Sequence, residues 1–526
     1  MLQTRLSILL AIFAVALAIG PAAAQENALI LEPLGTYATG AFDEAGAEEA
    51  VYDAASQRLF VVNGADNTID ILDISDPTAP MMVTQVELSE YGDGVNNVAI
   101  QGGLIAAAVE AEAQDGAGAV VFMDAEGTVL GSVEVGVQPD HVVFTPDGAK
   151  AVTANEGEPS DDYAVDPEGS ISIIDLSGGV EVATVNTLTF TDFNEGGARA
   201  AELAAEVRIY GPGATVAQDI EPEFAAITPD GAVALVTLQE NNAIAVVDLA
   251  AETIVEIRPL GFKDHLLEGN GIDASNEDGA INIANWPVLG MYQPDGIATF
   301  TVGDVTYAIT ANEGDTRDYE GFSEEAEVSE LTLDETAFPD AANLQLEANL
   351  GKLEVTNTMG DTDGDGDFDT LYLPGGRSFS IWSLDGSLIY DSGDDFEQVT
   401  SELLPEEFNA TNDENGSFDD RSDNKGPEPE EVAVGMVGES LYAFIGFERI
   451  GGIIVYDISD PAAPVFVTYV NNRDFTGDPT AGTAGDLGPE GVKFISADES
   501  PTGTPLLIVA NEISGTLTIF QITSGM

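Results

Sequence analysis

The chain has no cysteine, which excludes disulfide staples and a lipid-carrying N-terminal cysteine. Basic residues are nearly as scarce: 15 Lys and Arg stand against 94 Asp and Glu, a formal net charge of −79. That balance repels nucleic acid and anionic membrane surfaces, and it suits divalent cations or solvation in salty water. No G-x-S-x-G elbow, H-E-x-x-H helix or nucleotide-binding glycine loop occurs. After residue 24 no long stretch carries a helical period, whereas short Val, Ile and Ala runs and 56 Gly are spread throughout. The class is therefore all-β.

What is present is a repeat. The clearest copies read QPDHVVFTPDGAKAVTANEGE from Gln138 and EPEFAAITPDGAVALVTLQENNAIAVVDL from Glu221. Further copies begin at Glu48, Asn96, Gln293, Gly426 and Gly488. Each holds three to four short strands that cannot bury their faces alone, which predicts a seven-bladed β-propeller with long insertions on one face. A radial array also accommodates about 500 residues without one oversized core. Leu29–Gly40 is expected to add an outer strand beside Gly515–Ile522 and close the ring. Residues 1–24 read as a secretory signal, with Arg5 the only charge, an apolar stretch from Leu6 to Ile19 and a cleavage site at Ala22-Ala23-Ala24. Residues 25–526 are then the propeller, a monomer in the periplasm or outside the cell, with no membrane contact after cleavage.

Blade strands alternate in direction, so the connections sort onto two faces. The short turns, TPDG at Thr145 and Thr228 and DISDP at Asp73 and Asp457, share one face. Five long segments, 191–219, 261–292, 314–376, 392–425 and 471–487, fall on the other, where loops of this length are usually functional. First strands open on that face with Glu48, Asp140, Glu223, Asp295, Glu430 and Glu490, and with Asn96 in the second unit. Second strands end there with Glu112, Glu156, Glu240, Glu313, Glu448 and Glu512. Two rings of carboxylates so close together require protons or cations, and oxygen ligands suit calcium or magnesium. Asp140, Glu223, Asp295, Glu430 and Glu490 are the metal ligands expected there. Asn155, Asn312 and Asn511 would add a carbonyl oxygen beside three of the second-strand glutamates.

The strongest local motif lies in the 314–376 insertion. Asp361, Asp363, Asp365, Asp367 and Asp369 alternate along the loop, with Gly366 at the sharp turn, in the manner of an EF-hand. Phe368 would offer its carbonyl and Asp369 would bind through water. Tyr372 stands where the closing glutamate belongs, so another segment must supply the last carboxylate. The loop is expected to staple the insertion.

Seven of the few basic residues, Lys263, Arg317, Arg377, Arg421, Lys425, Arg449 and Arg473, lie in or beside the long loops. They could pair with nearby carboxylates or clamp an anion beside bound metal, as phosphoester chemistry requires. The catalytic set expected on that reading is Glu156, Glu313 and Glu512 with Arg317, Arg377 and His265. His141, at a strand start, reads as structural.

The strings QPDHVVFTPDG, TANEGEPSDDY, GAINIANWPVLGMYQPDGIA, TANEGDTRDY, RSDNKGPEPEEVAVG and GFERIGGIIVYDISDP resemble the choice-of-anchor I family of secreted bacterial propellers. That group is similar to mesenchyme-specific cell-surface glycoprotein. Some relatives are described as atypical, calcium-dependent alkaline phosphatases, so the resemblance implies calcium as cofactor and a phosphoester as substrate. A phytase-like propeller, holding calcium on an acidic face, is the analogy. A non-catalytic, calcium-stabilised propeller that binds a surface or matrix ligand fits the same residues.

Overall fold

A computed structural model describes residues 29–525, and the expected signal at 1–24 lies outside them. Seven four-stranded sheets succeed one another along the chain, each with its strands in sequence order except the last. The inner strands are Ala50–Asp53, Gly94–Gln101, Pro139–Phe144, Ala225–Ile227, Ile297–Val302, Pro429–Val437 and Pro489–Ile495. Each packs against the next, and the seventh returns to the first, so the sheets form a closed propeller around a channel. We number them blades 1 to 7.

The hydrophobic pattern follows from position in the blade. Second and third strands are covered on both faces by neighbouring blades and read as continuous apolar runs, as in Leu506–Asn511, where every residue is buried. Outer strands meet solvent, and Met81–Glu87 buries little besides Val86. The turns at Thr145 and Thr228 are built alike. Asp147 accepts from Thr145 Oγ1 at 2.8 Å and from Ala149 N at 3.0 Å, and Asp230 does the same with Thr228 Oγ1 at 2.7 Å and Ala232 N at 3.1 Å.

Ring closure is made by the N-terminal strand Leu29–Ala38, antiparallel to Thr516–Ser524 on the outside of blade 7. Leu29 and Leu31 of this strand are buried in the core shared by blades 6 and 7.

The five insertions sit together on one face and are bonded to one another. Arg208 of the first pairs with Glu324 of the third. Arg377 Nη1 reaches Asp273 O at 2.8 Å and Glu397 Oε1 at 2.6 Å. Arg473 Nη1 donates to Thr411 O at 2.6 Å. Segments 261–292 and 314–376 also share an apolar core of their own, with Ile272, Val288, Leu333, Phe338 and Leu353 buried in it.

Removing Leu31's buried side chain attacks closure directly. Leu31→Ala is expected to cost about 2–5 kcal/mol in urea unfolding. A cost below that of an exposed substitution on the same strand, such as Ile30→Ala, would mean the strand does not hold the ring.

Candidate metal centre

Five inner strands begin after one tripeptide pattern: Gln138-Pro139-Asp140, Glu221-Pro222-Glu223, Gln293-Pro294-Asp295, Glu428-Pro429-Glu430 and Gly488-Pro489-Glu490. Proline has no N–H, so the ladder cannot pair regularly through it. Register slips at the following acid, from Pro139 to His141, from Pro429 to Val432 and from Pro489 to Val492; blade 2 slips likewise between Val95 and Asn97. In blade 1 Glu48 and Glu49 share Val62, and in blade 4 Glu223 and Phe224 share Thr237. Each slip is a β-bulge, which frees a residue from strict alternation and re-aims its side chain. Two successive residues therefore face the channel: Glu48 and Glu49, Asn96 and Asn97, Asp140 and His141, Glu223 and Phe224, Glu430 and Glu431.

The residue before the proline stitches the two rings together. Gln138, Gln293 and Glu428 have φ of 48°, 40° and 50°, and Gly488 has 66°. Their carbonyls turn outward: Gln138 O accepts from Glu156 N at 2.9 Å, Glu428 O from Glu448 N at 2.9 Å and Gly488 O from Glu512 N at 2.8 Å. This left-handed backbone costs energy in a non-glycine residue and occurs mainly where the surroundings demand it.

The result is a cavity of about 430 Å³ at the channel mouth. Glu48, Asp140, Glu223, Asp295, Glu430 and Glu490 line it with Asn96, as do Glu156, Glu313, Glu448 and Glu512 from the second strands. Glu112 instead faces a separate small cavity with Asp93 and Glu110, and Gln239 takes the lining position beside Glu240. Glu49, Asp315 and Glu431 bring the lining to thirteen carboxylates, met by only two fixed cations, Lys425 and Arg449.

Burial and like charge act on this ring in the same direction. Burial, followed by Glu512 and Asp140, pushes Glu48 up to about 9. Burial, then Glu158, brings Asp140 to about 7. Burial holds Glu156, Glu223, Asp295, Glu430 and Glu490 well above the usual carboxylate range, with neighbouring carboxylates adding to it. Glu428 is the exception. Burial pushes it up, but Lys425, Arg449 and Arg421 outweigh that and hold it at about 2. Their nitrogens lie 3.3, 3.0 and 2.7 Å from its oxygens.

Two groups in this region have the spacing of a cation site. Glu156, Glu221 and Glu240 each offer an oxygen within 4.8 Å of the others, and so do Glu313, Glu430 and Glu448. Two oxygens on opposite sides of one calcium ion are about 4.6–5.2 Å apart, so either set spans a calcium. Glu223 Oε2 and Glu240 Oε2 are buried without any hydrogen-bond partner. These orphaned acceptors fit a cation, and they occur where the carboxylates converge.

Several expected members lie elsewhere. Arg317 is buried against Asp219 and Glu221, with Nη2 2.8 Å from Glu221 Oε1, so it reaches the Glu156–Glu221–Glu240 group only through Glu221. Arg377 is spent on Glu397 and on the carbonyls of Asp273 and Ser422. His265 is buried in an insertion, its Nδ1 2.8 Å from Asn270 O, and is absent from the channel lining. All three were expected beside the glutamates and instead tie local segments together, although Arg377 Nε and His265 Nε2 are left without partners. Two of the three asparagines are corrected as well, whereas Asn511 Oδ1 has no hydrogen-bond partner. Asn155 and Asn312 lock second to third strands, donating to Ser172 Oγ at 3.1 Å and Ser380 Oγ at 2.8 Å while accepting from Thr153 and Thr310.

In the aspartate loop, Asp361, Asp363 and Asp365 bring one oxygen each within 4.8 Å, while Asp367 and Asp369 turn to Asp334 as a second group. Asp334 belongs to the same 314–376 insertion and completes the second trio, so it is not the closing carboxylate expected from another loop for Asp361, Asp363 and Asp365. Phe368 O accepts from Asp334 N at 3.0 Å, and Asp369 accepts from Thr362 N at 2.9 Å.

Fold and site together define a β-propeller with an acidic channel mouth under a bonded set of loops. The sequence profile of the choice-of-anchor I domain matches residues 48–461, and the chain belongs to that family. Gigasin-3a of Magallana gigas is 34% identical over 191 residues, 34% of this chain and 67% of that protein. Mesenchyme-specific cell surface glycoprotein of Strongylocentrotus purpuratus is 29% identical over 245 residues, 39% of this chain but only 30% of that protein. Among solved structures, Kuenenia stuttgartiensis hydrazine synthase is 13% identical with a TM-score of 0.46, covering 92% of this chain and 99% of that one. The Cps50 (Swd1) β-propeller domain of Myceliophteria thermophila is 11% identical with a TM-score of 0.44, covering 94% and 100%.

The raised carboxylates make a pH prediction. A carboxyl whose folded pKa exceeds its unfolded value favours the folded state at low pH and loses that contribution as pH climbs through the folded value. With chelator, stability is expected to fall between pH 7 and 9, the window of Asp140, Glu240, Glu448 and Glu48. Both histidines have folded pKa values lowered to about 3 and so are neutral there. Saturating calcium should flatten the slope in thermal melts; a flat profile in chelator would contradict the electrostatic reading.

Proposed function

We propose that this protein is an extracellular, calcium-binding propeller whose channel mouth is its principal cation centre. The observation that carries the reading is the lining itself, thirteen carboxylates, five buried and eight half-buried, against two fixed cations, with orphaned oxygens on Glu223 in the lining and on Glu240 behind it. Buried charge of one sign is unstable without counter-charge, and hard oxygen donors at this spacing select calcium or magnesium. Glu156, Glu221 and Glu240 would hold one ion, and Glu313, Glu430 and Glu448 another. The loop at Asp361–Asp369 with Asp334 would be a peripheral staple. A cell-surface relative and the expected signal at 1–24 support the location, and no helix among the described residues is long and apolar enough to cross a membrane.

One observation favours hydrolysis of phosphoesters over simple binding. Lys425 Nζ lies 3.4 Å from Glu313 Oε1, and Arg449 Nη1 lies 3.0 Å from Glu448 Oε1, so both cations flank the Glu313–Glu430–Glu448 group inside the cavity. Calcium held by that group would supply positive charge against phosphoryl oxygens. Lys425 and Arg449 would orient the same oxygens, taking the place expected for Arg317 and Arg377. Glu512, free of ion pairs among the described residues and raised by burial, is available to hold a proton at the cavity wall.

Calcium at a hundredfold excess over its dissociation constant should add roughly 2.7 kcal/mol of stability. Glu240→Gln and Glu430→Gln should each weaken the response, and Asp363→Ala should remove only the loop's share. Melting curves that ignore calcium and chelator alike would reject the cation centre. Hydrolysis is read separately with a generic phosphomonoester and a phosphodiester. Glu313→Gln and Lys425→Ala should each lower kcat by about 10²-fold, on the order of 3 kcal/mol of barrier, while Asp147→Asn at a far-face turn leaves it unchanged. Calcium-loaded protein that cleaves neither ester leaves a binding propeller.

A further inference from the structure

A second uncompensated acidic locus lies away from the channel, where segments 261–292 and 392–425 meet. Asp273 is fully buried and Asp419 is 2% exposed. Among the described residues neither has a cationic partner. The nearby guanidinium of Arg377 gives both terminal nitrogens to Glu397 and to the carbonyls of Asp273, Ser422 and Asn424, and only its Nε is left without a partner. Two buried carboxylates thus lack counter-charge.

Asp273 Oδ1 and Oδ2 accept from Ser275 N at 3.4 Å and Asn282 N at 2.6 Å, whereas around Asp419 the polar atoms are acceptors in excess. Ser422 Oγ donates to Asp419 Oδ1 at 2.6 Å and accepts from Asn409 Nδ2 at 3.0 Å, so both side chains converge on it. Their other oxygens, Asp419 Oδ2 and Asn409 Oδ1, are buried with no hydrogen-bond partner. Asn276 Oδ1, three residues beyond Asp273, is a third such orphan. Asn409 and Asp419 both adopt left-handed backbone, φ 44° and 71°, which only a demanding local arrangement retains. Asp273, then Asp278, then Glu397 are the carboxylates that act most on Asp419.

We propose that Asp273, Asn409 and Asp419 hold a divalent cation of the calcium class that ties the 261–292 insertion to the 392–425 insertion. A buried water could donate to two of the orphaned oxygens but would leave both charges unneutralised. A cation answers both needs, and a mixed set of carboxylate and amide oxygens suits calcium better than magnesium, which keeps several of its own waters. Asn276 and Asp278 stand beside the site as further oxygen donors. This locus shares no residue with the channel groups or with the loop at 361–369, and the inference does not depend on either.

Calcium stoichiometry of the full chain after exhaustive dialysis is the test, with terbium luminescence as a second readout. Asp419→Asn and Asp273→Asn preserve shape; each should remove one tightly held calcium or weaken it at least tenfold, whereas Glu240→Gln and Asp363→Ala should keep that ion. Trp286 packs against the apolar cluster that contains Ile272 and Ala274, the chain neighbours of Asp273, so terbium at this site should be excited through Trp286. That emission should vanish in Trp286→Phe and Asp419→Asn and persist in Glu240→Gln. Unchanged calcium count in both aspartate variants would overturn the proposal, as would absence of Trp286-dependent terbium emission from the native chain, a readout that needs no aspartate variant to fold.

Discussion

Everything on the upper face of this propeller depends on the repulsion among carboxylates that the fold itself drives together. Inner strands converge on the axis, and their upper ends carry an acid in six of seven blades. Bulges at those ends then deliver a second residue to the same channel. The architecture concentrates charge more tightly than any single blade would. Folding into this ring is favourable only with protons or cations to oppose it.

The few fixed cations show how the chain distributes its own counter-charge. Arg208, Arg317, Arg377 and Arg473 are buried and consumed in fastening insertions to each other and to the blades. Lys425, Arg421 and Arg449 converge on Glu428, the residue before the proline that opens blade 6. Blade 6 is thus where most of the fixed cations meet the rim, while Arg317 pairs with Glu221 at blade 4 and Lys493 lies near Glu49 and Glu431. Around the rest of the ring, and at Asp273 and Asp419, carboxylates outnumber the fixed cations among the described residues.

Much of this was legible in the residues. The repeated strings place the strands, and the short TPDG turns assign the faces, so Asp140, Glu223, Asp295, Glu430 and Glu490 could be set around one channel before any coordinates. Glu49 and Glu431 could not, because strict alternation puts them on the opposite side from Glu48 and Glu430; only the bulge brings both members in. The x-Pro-acid pattern, present five times, was the available signal for Glu431, whereas blade 1 has no proline before Glu48 and gave none for Glu49. Glu221 and Glu428 precede those prolines and read as loop residues, although they anchor Arg317 and Lys425. Arg317, Arg377 and His265 were misplaced because scarcity and loop position suggest function equally whether a side chain faces a cavity or is buried as a tie. The site at Asp273 and Asp419 joins positions 146 residues apart, with no motif in either segment, and depends on orphaned oxygens that only packing reveals.

The central claim is that metal ions, rather than protons, neutralise the channel mouth. Anomalous diffraction from crystals grown at neutral pH with calcium, then exchanged with terbium, reads this directly. The account predicts anomalous peaks bounded by Glu156, Glu221 and Glu240 and by Glu313, Glu430 and Glu448. A channel holding only ordered water, with those carboxylates paired to one another at hydrogen-bond distance and no anomalous signal, would contradict it.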